Sequence, residues 1–139
     1  MRVKEIMTTD VRTVKPNDTI MTAASLMDQI DVGCIPVIDN NNLVGIVTDR
    51  DIVVRSVSKG QSPNQHVSDV MTTDVTYVSP DTDIHEVADI MAEQQIRRLP
   101  VVENKSLVGI VSIGDLAVED IFENEAGEAL HDISFGVRH

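Results

Sequence analysis

Aromatic residues are nearly missing from this chain: one Tyr, two Phe and no Trp in 139 positions. Its interior must therefore be assembled from Val, Ile, Leu, Met and Ala, which the hydrophobic fraction of 42% supplies. Cysteine is scarcer still, and the single Cys34 excludes both an intrachain disulfide and a cysteine-rich zinc site. Positive charge is also short, with 11 Lys and Arg against 23 Asp and Glu and a net charge of −12. A protein that binds DNA, RNA or an anionic membrane by releasing counterions needs a basic face, so none of these is an expected partner. No apolar run approaches the roughly 18 residues of a membrane span, and Met1–Ile6 lacks the apolar stretch of a signal peptide. The expectation is a soluble, cytoplasmic protein.

Catalytic signatures are missing as well. The sequence contains no Walker A loop and no G-x-G-x-x-G, G-x-S-x-G or H-E-x-x-H. His66, His85, His131 and His139 are scattered, none at metal-ligand spacing from another His or from Cys34. No enzyme activity, no metal and no resident cofactor are expected.

What the sequence does have is a duplication. Met7-Thr8-Thr9-Asp10-Val11 returns unchanged as Met71-Thr72-Thr73-Asp74-Val75, a shift of 64. The same shift carries Val14 and Pro16 onto Val78 and Pro80, and Ile20, Ala24 and Met27 onto Ile84, Ala88 and Met91. Pro36-Val37 falls on Pro100-Val101, and Leu43-Val44-Gly45-Ile46-Val47 on Leu107-Val108-Gly109-Ile110-Val111. One ungapped register holds from Val3/Val67 to Asp51/Asp115.

Each copy reads β-α-β-β-α. Val11 to Val14 alternates as a short strand ended by Pro16. Asn17-Asp18-Thr19 offers N-caps to a helix whose apolar stripe is Ile20, Ala23, Ala24 and Met27. In the second copy the stripe is Ile84, Val87, Ala88 and Met91, and Asp83 with Glu86 suggests a capping box. A strand at Ile35–Ile38, a polar turn at Asp39–Asn42 and a strand at Leu43–Val47 follow. A helix from near Thr48 closes the unit. The strands are almost continuously apolar, which suggests that both faces are covered. Copies this small should therefore pack together as a pseudo-two-fold pair. The boundaries are 3–58 and 67–122, with a Gly/Ser/Pro/Asn linker at 59–66 and an acidic tail at 123–139.

Both copies carry G-I-V-[TS]-x-x-D-[IL], as Gly45-Ile46-Val47-Thr48-Asp49-Arg50-Asp51-Ile52 and Gly109-Ile110-Val111-Ser112-Ile113-Gly114-Asp115-Leu116. A hydroxyl at a strand end and an Asp three residues on, at a helix start, lie close together. They can form a capping box. They can equally offer a ribose a carboxylate and a phosphate a hydroxyl with backbone amides. With the opening V-x-[DE]-[IV]-M-T, the [IL]-P-V segment and the element order, the motif resembles the CBS (cystathionine β-synthase) domain over about residues 3–122.

The resemblance implies a mixed α/β fold of tandem CBS repeats and a non-catalytic regulatory role, with an adenine nucleotide (AMP, ADP, ATP or a related compound) bound in a cleft between the repeats. One implied site takes Ser112, Asp115 and Ile110 from the second copy, faced by Arg12, Val32 and Gly33. The other takes Thr48, Asp51 and Ile46, faced by Thr76, Ile96 and Arg97. For Val32, Ile46, Ile96 and Ile110 the alternative is plain core packing. Arg97 and Arg98 resemble phosphate-contacting positions, the alternative being a solvated pair tied to Glu93 or Glu103. Met7 and Met71 open their repeats where the family often places residues near the cleft. The first copy has Gly33-Cys34 where the second has Arg97-Arg98, and Arg50 where the second has Gly114, so the sites are not equivalent.

A homodimer is the implied assembly, with Ile52, Val53, Val54 and Val57, and Leu116, Val118, Ile121 and Phe122, as apolar helix faces. The regulated partner would be a separate enzyme or transporter. The competing reading is a ligand-free interaction scaffold.

Overall fold

The computed structural model describes residues 1–118. The acidic tail expected at 123–139, and Ile121 and Phe122, lie outside the described residues. The fold is mixed α/β. In the first copy, helix α1 (Ile20–Ile30) is followed by strands β1 (Cys34–Asp39) and β2 (Asn42–Thr48) and helix α2 (Asp49–Arg55). In the second, helix α3 (Ile84–Gln94) precedes strands β3 (Arg98–Glu103) and β4 (Ser106–Ser112) and helix α4 (Ile113–Val118).

Local chemistry accounts for the boundaries. Thr19 caps α1 by accepting from the Thr22 amide. Asp83 caps α3 through the His85 amide, not through the reciprocal box expected with Glu86. Both helices end on a left-handed residue, Asp31 (φ 55°) and Gln95 (φ 57°). The two hairpins turn through paired positive-φ residues, Asn40-Asn41 and Asn104-Lys105, as two-residue turns between right-twisted antiparallel strands require.

The short strand expected at Val11–Val14 contracts to a single parallel bridge. Val14 donates to the Pro36 carbonyl at 3.1 Å and accepts from Ile38 at 2.9 Å. Val78 repeats this with Pro100 and Val102. Proline supplies no N–H, so Pro36 cannot donate to Arg12 to carry the pairing back along the segment, and Pro16 cannot carry it beyond Val14. On α1 the buried face is Ile20, Ala23 and Met27; Ala24 is exposed, whereas its counterpart Ala88 is buried.

The chain divides into two compact units that are out of step with the sequence repeats. One comprises Arg12–Val75, the other Met1–Val11 with the chain from Thr76 onward. In the first, Val67 and Val70 complete a core of Val14, Ile20, Ala23, Met27, Ile35, Val37, Val47 and Ile52. In the second, Val3 completes the core of Val78, Ile84, Val87, Ala88, Met91, Leu99, Val101, Val111 and Leu116. Each repeat's opening segment therefore closes the core of the other repeat's helices and hairpin.

The residues just before these openings satisfy helix ends. The Gln65 carbonyl accepts from Ile20 at the start of α1 (2.9 Å), and the Met1 carbonyl accepts from Ile84 at the start of α3 (3.2 Å).

Candidate ligand site at the [TS]-x-x-D termini

The end of β2 and the start of α2 form the first candidate site. Thr48 Oγ1 accepts the Asp51 amide at 3.0 Å, and Asp51 Oδ2 accepts the Thr48 amide at 3.0 Å. This is the reciprocal capping box, and the hydroxyl and carboxylate meet as the spacing predicts. The second copy repeats it: Asp115 donates its amide to Ser112 Oγ at 3.2 Å, and Asp115 Oδ2 accepts from Ser112 at 2.8 Å.

The caps leave capacity unspent. A carboxylate offers about four lone-pair sites, and a hydroxyl that accepts one bond still has its own proton to donate. The Asp51 side chain is only 12% exposed, yet beyond the Thr48 amide its nearest polar partner among the described residues is Arg55 Nη1 at 3.8 Å. A largely enclosed carboxylate with open acceptor positions next to a hydroxyl donor is chemically matched to a vicinal diol.

The opening segments border both termini. Thr72 and Ile46 exchange backbone hydrogen bonds at 2.8 and 2.9 Å, as do Thr8 and Ile110, at 2.9 Å each. Gly45 and Gly109 permit this approach. A Cβ on Gly45 would lie 2.8 Å from Met71 Sδ and 2.9 Å from the Thr72 carbonyl oxygen; on Gly109 it would lie 2.7 Å from Met7 Sδ and 2.9 Å from the Thr8 oxygen. Arg55 anchors the segment from the other side, donating to the carbonyls of Val70 (3.0 Å) and Met71 (3.3 Å) and to Thr72 Oγ1 (3.4 Å).

The other expected residues are placed as follows. Ile46 and Ile110 are half-buried on β2 and β4 beside Thr72 and Thr8. Gly33 accepts the Asp49 amide at 2.9 Å, and Arg97 accepts the Ile113 amide at 2.8 Å, so each adjoins the terminus of its own unit. Arg98 is exposed on β3 in register with Ser112. Neither arginine forms an ion pair with Glu93, Glu103 or any other carboxylate among the described residues. Val32 and Ile96 are half-buried after α1 and α3. Arg12 and Thr76, both exposed, begin the segments that lead into the two units.

Sequence reasoning missed Arg55, Thr8 and Thr72. The unchanged Met-Thr-Thr-Asp-Val was the available signal for the threonines. Among the described residues no group of three or more His, Cys, Asp or Glu is placed to hold a metal, and no helix is long and apolar enough to cross a membrane.

The family model of the CBS domain matches residues 3–58 and again 67–120. The chain belongs to the CBS domain family. CBS domain-containing protein YhcV of Bacillus subtilis (strain 168) is 48% identical over 132 residues, 95% of this chain and 94% of that protein. Hypoxic response protein 1 of Mycobacterium tuberculosis is 36% identical over 116 residues, 82% of this chain and 81% of that one. Among solved structures, the CBS domain pair of protein MJ0100, in complex with 5′-methylthioadenosine and S-adenosyl-L-methionine, superposes with a TM-score of 0.76 at 28% identity. That alignment covers 90% of this chain and 98% of the other. The chain is thus a CBS pair, a regulatory type of module.

Proposed function

We propose that this CBS pair binds an adenosine-containing ligand, of the class of AMP, ADP, ATP or a related compound, and signals its presence without transforming it. The observation that carries this reading is the enclosed Asp51 carboxylate, with acceptor positions unspent, beside the Thr48 hydroxyl. The same pair recurs at Ser112 and Asp115. The MJ0100 pair's complex with two adenosine compounds supports the choice of ligand class. In this reading the Asp accepts from the ribose hydroxyls, Thr48 or Ser112 donates to the ligand, and Arg97 and Arg98 supply positive charge for a phosphate. Ile46, Ile110, Val32 and Ile96 offer apolar surface to the base. The module works in the cytoplasm as a homodimer acting on a separate enzyme or transporter.

A thermal-shift screen against adenosine, AMP, ADP, ATP, GTP and S-adenosylmethionine tests the reading. A ligand at 100 times its Kd stabilises the fold by about 2.7 kcal/mol, a shift of a few degrees. Asp51→Asn and Asp115→Asn keep an acceptor oxygen for the cap and remove the charge. The expected result is a shift with adenine compounds that is reduced in each variant and abolished in the double variant. No shift with any ligand would sink the proposal. It would favour a scaffold, for which the exposed Val53 (57%), Val54 (44%) and Val57 (65%) speak.

A further inference from the structure

One nitrogen of Arg55 faces more acceptors than it can serve. Nη1 donates to the Val70 carbonyl at 3.0 Å, the Met71 carbonyl at 3.3 Å and Thr72 Oγ1 at 3.4 Å, and it faces Asp51 Oδ1 at 3.8 Å. A terminal guanidinium nitrogen carries only two of the group's five N–H donors, so these oxygens compete for it. Asp51 is the charged acceptor among them, and charged acceptors take hydrogen bonds more strongly than neutral ones. It is nevertheless the farthest.

The cap holds Asp51 back: its Oδ2 accepts the Thr48 amide at 3.0 Å, which fixes the carboxylate at the start of α2. Arg55 stands at i+4 from Asp51, a spacing at which an acid and a base on a helix pair directly. The other carboxylate of this turn, Asp49, takes no part, since its Oδ1 accepts the Arg50 amide at 2.8 Å. On the far side of Arg55, Thr72 and Ile46 exchange backbone bonds at 2.8 and 2.9 Å and so dock the segment on β2. In the second copy the position of Arg55 is taken by Glu119, although Asp115 and Thr8 repeat Asp51 and Thr72.

We propose that Arg55 is a positioning residue that couples the Asp51 carboxylate to the segment Val70–Thr72 by sharing one donor nitrogen between them. A hydroxyl that donates to Asp51 fills the acceptor position Arg55 would take. Nη1 is then left to the segment, which docks more tightly on β2. By linkage, a docked segment favours a donor at Asp51. That a ligand supplies this hydroxyl rests on the proposed function, whereas the coupling itself is open to test without one.

The test is amide hydrogen exchange by NMR on the full chain, in a double-mutant cycle of Asp51→Asn and Arg55→Met. Asp51→Asn keeps the cap acceptor and removes the charge that draws Arg55 away. Any damage to the cap is common to both arms, so the readout is its effect with Arg55 divided by its effect with Met at 55. That ratio is expected to show the Thr72 and Ile46 amides slowed about two- to fivefold, the range of a partly exposed ion pair. Asp115→Asn, with no arginine at 119, is expected to bring no such slowing to the equivalent Thr8 and Ile110 amides. A ratio of one, a ratio in the opposite direction, or equal slowing at Thr8 and Ile110 would overturn the inference. Adenosine keeps the two claims apart. If it binds and the cycle shows no coupling, the inference falls and the proposed function stands. If the cycle shows coupling and no adenine compound binds, the proposed function falls and the link through Arg55 stands.

Discussion

The guanidinium of Arg55 donates to the main-chain carbonyl of Val70 at 3.0 Å, tying the last turn of α2 to the segment that opens the second repeat. The same group reaches the Met71 carbonyl and the Thr72 hydroxyl and faces Asp51 at 3.8 Å. Because the side chain is 49% exposed, water replaces part of what a substitution removes. Arg55→Met, which keeps the aliphatic stem, is expected to cost about 1 kcal/mol in urea unfolding. In 1 M salt most of that cost should persist, since carbonyl bonds are screened less than the pair with Asp51. A loss that vanishes in salt would assign the effect to the ion pair instead.

Gly45 and Gly109 mark a close approach of the opening segments to β2 and β4. Alanine at either site puts a methyl against a backbone oxygen 2.9 Å away, and a carbonyl held in a two-way pairing cannot swing aside as a side chain can. Gly45→Ala and Gly109→Ala should each destabilise by about 1–3 kcal/mol in chemical denaturation. Adding Met71→Ala to Gly45→Ala relieves only the sulfur contact, so the double variant should be no more stable than the single. Full rescue would show that the thioether, not the carbonyl, is the obstacle.

Much of this was legible in the sequence, and the rest was not for identifiable reasons. Thr48 and Asp51 could be paired from their spacing alone, because a capping box is set by local helix geometry. The 64-residue register established which residues are equivalent, but equivalence does not say which copy a segment packs on. Val3 and Val67 fill the same kind of core, so the exchange of opening segments leaves no trace in the pattern. Arg55 escaped because its counterpart is Glu119, which breaks the repeat, and because its acceptors are main-chain oxygens 15 and 16 residues away. The strand expected at Val11–Val14 failed because its partner strand has Pro36 where Arg12 would need a donor, a property that alternation within the segment does not report.

Asp83 provides a pH signature. The His85 amide bonded to its carboxylate lowers its pKa from the ordinary carboxylate value; partial desolvation opposes this, and the charges of His85, the N-terminus and Arg2 add smaller lowering effects. A carboxylate depressed in the folded state contributes stability above its unfolded pKa and loses it as pH falls through the folded one. Asp83 should therefore titrate below the ordinary aspartate value by carbon-detected NMR. Asp83→Asn, which keeps a cap acceptor, should flatten the acid limb of the stability profile. An Asp83 that titrates at the ordinary aspartate value would remove the link between this cap and acid sensitivity.

Besides its backbone hydrogen bonds, the opening segment Met1–Val11 is held to its unit by an apolar contact and an ion pair, and the weights of these two differ. Val3 is fully buried in the core with Ile84, Met91 and Leu99, whereas the neighbouring Lys4–Asp81 ion pair, at 3.1 Å, joins side chains that are 56% and 78% exposed. Burying a valine side chain stabilises by roughly 1.5–3 kcal/mol, while exposed pairs contribute about 0–1. Val3→Ala should accordingly cost about 2 kcal/mol and Lys4→Ala well under 1, both by urea unfolding of the whole chain. Hydrogen exchange distinguishes what is lost: in Val3→Ala, the amides of Val3 and Ile84, bonded to the Thr82 and Met1 carbonyls at 2.9 and 3.2 Å, should exchange faster than those at the start of α1. The apolar plug then governs docking, because it alone removes surface from water. The opposite ranking, with Lys4→Ala the costlier change, would mean that the segment is steered onto its unit by charge and that Val3 merely follows.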